Sequence, residues 1–172
     1  MGSENLLVAD ITQVDTGAMY PLGTIFEEPA GYGSKRDPAV AASRKDRGIR
    51  KWIYAYNDSG STTARGTVIS RKAATTTLNV KACPTSGISS SNIVGVGDHD
   101  IVTGSYGWYI REGWCEVIAD TGGITVDQPI VPGNAVAGTA DTNSTVTAGG
   151  FGYASETVLA TALATCYVSC QG

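Results

Sequence analysis

Residues 102–119, VTGSYGWYIREGWCEVIA, constrain the fold more than any other stretch of the chain. They hold Trp108 and Trp114, two of the three tryptophans, together with Tyr106, Tyr109, Ile110 and Val117. Aromatic and β-branched side chains at this density suit a half-buried pleated surface. Gly104, Gly107 and Gly113 punctuate the run, and a missing Cβ lets a strand bend or a neighbouring backbone come close. The stretch is expected to form two short strands, the central hairpin of an all-β module.

The rest of the chain supports that class. At 172 residues it suits a single domain with appendages. A chain of this size buries about two thirds of its unfolded surface and needs neither disulfides nor a metal to fold. Charged residues make up only 16% and there are 22 glycines, a balance that suits sheets joined by many turns. Strand signals fall at 19–29, at 49–57 (IRKWIYAYN), at 66–70, at 75–83 and at 92–98. In the second of these, Trp52, Tyr54 and Tyr56 alternate with Ile53 and Ala55, so both faces find cover. Asn57-Asp58-Ser59-Gly60 is a turn, and residues 120–156 alternate short apolar runs with turn residues. Residues 159–170 read as a closing strand, with Leu163, Thr165, Tyr167 and Ser169 on one face and Ala164, Cys166, Val168 and Cys170 on the other. The expected fold is all-β, a small β-barrel or sandwich over residues 19–172, with an N-terminal docking arm at 1–18 and a long basic loop at 30–48.

Net charge is only −4, but it is unevenly placed. Residues 1–34 carry −5, residues 35–81 carry +8 and hold eleven of the twelve basic residues, and the remainder carries −7. One basic face in acidic surroundings favours a negative partner met in a fixed orientation. The belt consists of Lys35, Arg36, Arg44, Lys45, Arg47, Arg50 and Lys51, interleaved with Tyr32, Trp52, Tyr54 and Tyr56. Phosphate pairing with base stacking is one use for such a pattern. The acidity of the rest of the chain opposes it, and an acidic protein surface is the better match. In the arm, Leu6, Leu7, Val8 and Ile11 form an apolar group that either docks elsewhere or starts a strand of the same domain. No apolar run approaches the roughly 18 residues of a membrane span, and the start lacks the basic and apolar regions of a secretory signal, so a cytoplasmic site of synthesis is expected.

Catalytic motifs are weak. Asn57-Asp58-Ser59-Gly60-Ser61 has a serine in a protease-like setting, but the only histidine, His99, lies downstream of it, and a tight turn accounts for the string. Asp98-His99-Asp100 places three consecutive residues on alternating faces, which rarely converge on a metal. Glu112 and Glu116 would be about 13 Å apart in an extended strand, too far for a glycosidase pair. Gly31-Tyr32-Gly33-Ser34-Lys35 lacks the spacing of a phosphate loop. Cys83, Cys115, Cys166 and Cys170 form no C-x-x-C pair and are expected to be buried free thiols. Neither an enzyme nor a cofactor is expected.

A resemblance rests on GYGSK at 31–35 and, over about residues 49 to 156, on WIYAYNDSGSTTARGTVIS, YGWYIREGWCEVIADTGGITVDQPIVPGNAVAGTA and GGFGYASE. In texture these runs resemble the capsid decoration (cement) proteins of tailed bacteriophages, in which a tyrosine-, glycine- and tryptophan-rich strand and a turn-rich section recur within a small β-barrel. The long basic loop and the four cysteines depart from the shorter members. The resemblance implies a non-enzymatic virion protein on the outer surface of an icosahedral shell, made in the host cytoplasm. It implies contact with the major capsid protein, commonly as a homotrimer, without nucleic acid or membrane. On that reading the arm residues Leu6, Leu7, Val8 and Ile11 and the seven belt cations are the capsid-binding set, Trp108 and Trp114 stand at a subunit contact, and no metal is bound. The alternative is a tail- or fibre-associated β module that binds a host surface.

Overall fold

The structure, a computed structural model, describes residues 10–28, 49–72, 78–85, 90–143 and 150–172. Its strands are β1 (Ile25–Glu28), β2 (Arg50–Asn57), β3 (Val68–Arg71), β4 (Asn79–Ala82), β5 (Ile93–Gly97), β6 (Tyr106–Ile118), β7 (Pro129–Pro132), β8 (Ala140–Thr142), β9 (Gly152–Ala154) and β10 (Leu163–Ser169). A single 3-10 turn at Ser90–Asn92 is the only helical element among the described residues, so the all-β class holds.

The strands pair in the order β1-β2-β4-β3-β5-β6-β10-β9-β7-β8, and β6 also pairs with β2. That extra pairing joins β2, β4, β3, β5 and β6 into a closed ring, with β10, β9, β7 and β8 extending from it as a second layer. All pairings are antiparallel except β2 with β4, which run parallel through Tyr56↔Asn79 and Asn57↔Val80.

Period-two alternation along the ring strands creates two cores. Ile53, Ala55, Ile69, Val80, Val94 and Tyr109 of the ring strands form one cluster with Leu78 and Ile101, with Val14 and Leu22 packed against it, and this fills the ring interior. Their neighbours Trp52, Tyr54, Val68, Trp108 and Ile110 belong to a second, larger cluster that also takes in Cys115 and Val117 from the far half of β6 and Ile130, Phe151, Ala154, Cys166 and Val168 from the second layer. Alternate residues of β2 and β6 thus serve different cores. The buried hydroxyl of Tyr109 lies 3.0 Å from that of Thr63, which gives the ring interior's polar atom a partner.

The expected hairpin at 102–119 is instead one strand, Tyr106–Ile118. Its glycines make bends and close contacts, not a reversal. At Gly107 the side chain of Ile101 occupies the space a Cβ would need. Gly113 has φ +117°, and its missing Cβ would meet the Ile49 carbonyl oxygen at 3.0 Å. Near this point β6 changes partners: Tyr106 to Glu112 pair with β2, and Glu112 to Ile118 pair with β10. The β2 register slips by one residue between Lys51 and Trp52, which matches a bulge.

Within the expected arm, residues 10–18 belong to the domain. Ile11 is 4% exposed and sits in the larger core. Asp15 and Tyr106 exchange backbone hydrogen bonds of 3.0 and 2.8 Å. Ile11 is therefore taken up by its own fold and is not available as an external anchor. Leu6, Leu7 and Val8 lie outside the described residues.

All four cysteines are free and buried, as expected. Burial pushes the Cys83 thiol up to about 11 and those of Cys166 and Cys170 up to about 12, so they remain protonated near neutrality. They act as small apolar side chains.

One buried carboxylate organises the far end of the second layer. Asp120 is 1% exposed. Its Oδ2 accepts the backbone N–H groups of Asn134 and Ala135, both at 2.8 Å, and Oδ1 accepts that of Val136 at 3.0 Å. The turn that follows β7, at Gly133 to Val136, is thus fastened to the sheet. Burial pushes the Asp120 carboxyl up, but the N–H groups of Ala135, Thr121, Asn134 and Val136 outweigh it and hold it below its usual range.

Both the glycine junction and the buried carboxylate can be tested by substitution. Gly113→Val places a β-branched residue at a left-handed φ against the Ile49 carbonyl, and it should lower unfolding free energy by about 3 kcal/mol in a urea titration; an unchanged midpoint would refute the strain. Asp120→Asn at pH 7 should cost about 2 kcal/mol, because an amide cannot accept all these N–H groups. Since the folded carboxyl titrates below its unfolded value near 3.9, its contribution is complete above about pH 4 and is lost as pH falls through the folded value. The gap between wild type and Asp120→Asn should therefore narrow in acid, and a gap of constant size from pH 7 to 2.5 would assign the loss to packing.

Candidate functional site

The expected binding surface divides sharply. Lys35, Arg36, Arg44, Lys45 and Arg47 lie outside the described residues. The two described belt cations, Arg50 and Lys51, open β2 and are both engaged within the chain. Arg50 Nε and Nη2 reach Glu28 Oε2 at 2.9 and 2.8 Å, and the guanidinium lies 5.0 Å from the Trp52 ring centre. Trp52 Nε1 donates to the same oxygen at 3.0 Å. Glu28 is 1% exposed, so this is a buried, charge-assisted cluster that ties β1 to β2 and not a free positive charge. Lys51 Nζ reaches Glu112 Oε2 at 2.9 Å; the hydrogen bond and then the charge of Glu112 raise its pKa. This pair is half-exposed and contributes little to stability.

Trp108 is 1% exposed and lies among Tyr20, Phe26 and Tyr54, with ring centres 5.2, 6.1 and 5.0 Å away. A side chain so buried in its own core cannot also be a subunit contact, which corrects that expectation. Residues 10–24 strap over this cluster. The Tyr54 hydroxyl donates to Asp15 Oδ2 at 2.6 Å and accepts from the Met19 N–H at 3.2 Å. Burial first, and then the bond to Asp15, push the Tyr54 phenol well above its ordinary range. Trp114, by contrast, stands half-buried on the outer face of the second sheet, against Tyr153 and Tyr167.

The residues weighed for chemistry are placed in structural roles. The Asn57 side-chain amide donates to the carbonyls of Ser61 and Ile101, its oxygen accepts the Ser59 N–H, and the Ser59 hydroxyl donates to the Ser61 carbonyl at 2.6 Å, which makes the string a pinned turn. Burial lowers the pKa of His99 against the opposing pull of Asp98, Asp100 and Asp10, so the ring is neutral near pH 7. Among the described residues no three His, Cys, Asp or Glu side chains converge as a metal site. Glu112 and Glu116 share a face of β6 but are paired with different cations, Lys51 and Arg65.

Sequence reading missed the outward row formed by Trp114, Tyr167 and Tyr153. Alternation at 163–169 placed Tyr167 correctly, but only the register, Trp114↔Tyr167 and Tyr167↔Tyr153, brings the three rings together. Buried Asp15 and Glu28 were also missed, since an isolated acid in a short strand or loop carries no local sign of its distant partner.

The sequence matches no protein-family model and no curated protein. Among solved structures, the fold is similar to the N base of the head fibre protein gp8.5 of bacteriophage phi29, with a TM-score of 0.50 and 18% sequence identity over 69% of this chain and 92% of that one. At that identity the likeness shows a shared fold.

Proposed function

We propose that this chain is a structural protein of a bacteriophage virion that sits on the outside of an icosahedral head and reinforces contacts between major capsid subunits. The observation that carries this reading is the likeness to a head fibre base, which spans 92% of that base. It agrees in kind with the sequence resemblance to capsid decoration proteins, a reading reached from different features. The architecture suits the role: two packed cores with buried polar ties make a stiff body able to carry load. On this reading the chain has no catalytic activity or cofactor, contacts neither nucleic acid nor membrane, and assembles as a homotrimer. Because it would bind assembled shell in preference to free subunits, it would stabilise the shell by mass action. Several copies linked together would raise the effective concentration of each further contact.

Attachment is assigned to the two segments flanking β1 in sequence. They are the start of the chain, with Leu6, Leu7 and Val8, and the loop carrying Lys35, Arg36, Arg44, Lys45 and Arg47. With Ile11 and Asp15 built into the domain, the part of the arm to test is residues 1–9. A second reading, a fibre-associated module that binds a host surface, is favoured by the fact that the structural neighbour is the base of a head fibre. It differs in where the free end of the molecule points.

The test is co-sedimentation with purified heads of the phage that encodes the chain, followed by imaging of decorated particles. The full chain should pellet with heads and appear on their outer surface. Removing residues 1–9 should weaken pelleting about tenfold or more while leaving the thermal midpoint of the free chain unchanged, as expected if several apolar contacts are lost. Pelleting should also weaken between 50 and 500 mM salt if the loop cations meet an acidic shell. Density on the tail alone, or no binding to heads, would overturn the capsid assignment.

A further inference from the structure

The second sheet turns one face to the larger core and the other to solvent. Along β6, Cys115 and Val117 point inward while Glu112, Trp114 and Glu116 point outward; along β10, Ala164, Cys166 and Val168 point inward while Leu163, Thr165 and Tyr167 point outward. An antiparallel sheet with one solvated face ordinarily presents polar residues there. Here the register aligns Trp114, Tyr167 and Tyr153 in one row across β6, β10 and β9. Tyr153 and Tyr167 stack with centres 5.5 Å apart, and Trp114 meets each of them edge to face at 5.6 Å. The row is open to solvent, with Tyr153 46% exposed and Leu163, on the same face, 40% exposed. Neither the ring interior nor the larger core uses Tyr153 or Tyr167.

What covers this row is indicated by the charges beside it. Two residues before Trp114, Glu112 pairs with Lys51; two residues after it, Glu116 pairs with Arg65. Each flank therefore carries one cation and one anion. A strongly acidic or strongly basic partner would meet a like charge at both flanks. A second copy of the chain meets neither penalty, because anions and cations of the two copies can exchange partners across the contact. Aromatic residues at the centre and charged, partly exposed pairs at the rim are the arrangement of a protein–protein contact.

We propose that the row Trp114–Tyr167–Tyr153 is where copies of this chain meet, with the Lys51–Glu112 and Arg65–Glu116 pairs as its rim. This deepens the virion reading by naming the surface that joins copies, and it rests on residues that the attachment to heads does not use. A strictly monomeric chain that still bound heads would overturn the contact and leave the attachment standing.

The experiment is light scattering of the full chain at about 50 μM, a concentration at which a micromolar contact is mostly formed. Wild type should give a multiple of the single-chain mass, and Tyr153→Arg should give the single-chain mass with the thermal midpoint of wild type diluted until it is a single chain, since Tyr153 is nearly half exposed. Lys51→Glu, which makes one flank wholly acidic, should weaken association about tenfold, and adding Glu112→Lys should restore it. A wild-type chain that scatters as a single copy, or a Tyr153→Arg chain that keeps the wild-type mass, would overturn the proposal. So would a wild-type chain that stays monomeric while its tryptophan fluorescence titrates with purified bacterial cell-wall glycan, which would make the row a saccharide platform.

Discussion

Strand β6 hydrogen-bonds to β2 and β5 within the ring and to β10 in the second sheet, so one run of backbone must serve two layers. Its first half sends Tyr109 into the ring while Trp108 and Ile110 face the larger core; its second half sends Cys115 and Val117 to that same core and Trp114 to solvent. A regular strand cannot satisfy both, because the residues facing the larger core are even-numbered up to Ile110 and odd-numbered from Cys115. Gly113 is where the conflict is resolved. Its left-handed φ lets the backbone turn at the point where β2 gives way to β10, and its missing Cβ admits the start of β2. With Trp52, Tyr54 and Trp108 packed on one side of that junction, each worth several kcal/mol if truncated, the relation between the layers is fixed by burial more than by hydrogen bonds.

Buried polar groups then choose one arrangement among those that burial alone would permit. Asp15 holds the 10–24 strap to Tyr54, Glu28 holds β1 to Arg50 and Trp52, and Asp120 holds the turn after β7 to the end of β6. Each acid lies near or within a segment too short or irregular to find its own place: β1 has four residues, and the strap has no extended strand. A short edge strand gains few apolar contacts, so a misregistered copy of it costs little unless a charged group would be left unpaired in the core. The three carboxylates supply that penalty at the three places where the hydrophobic pattern is weakest.

The same weakness separates what the sequence reveals from what it hides. Alternation places β2 almost to the residue and the faces of β10 correctly, though β10 starts four residues later than expected, because a strand with one face on a core prints period two in its composition. It also separated Trp52 and Tyr54 from Ile53 and Ala55, which turn out to face different cores. Residues 102–119 have the composition of a hairpin, because three glycines in a short stretch match the composition of turns. A glycine needed for a close approach, as at Gly107, is indistinguishable in sequence from one needed for a reversal. Ring closure through β2 and β6 was equally hidden, since it joins strands far apart in the chain whose composition would suit any sheet. For the candidate site, the limits were of the same kind. Charge clustering identified a belt, but whether Arg50 and Lys51 are free depends on Glu28 and Glu112, which only the fold brings within reach.

Those internal pairings bear on how the molecule can recognise anything. Arg50, Lys51, Arg65 and Lys72 are each matched to an acid. Ion pairs this close have short-ranged fields, further screened by salt, so these four cations do little to attract a partner from a distance. The other five belt cations, Lys35, Arg36, Arg44, Lys45 and Arg47, all fall between β1 and β2 in sequence. Steering and contact are thereby divided between different parts of the chain. Cations close in sequence can draw the molecule to an acidic surface, while an aromatic row on the opposite half of the fold's strand order, with ion pairs at its rim, is suited to short-range association.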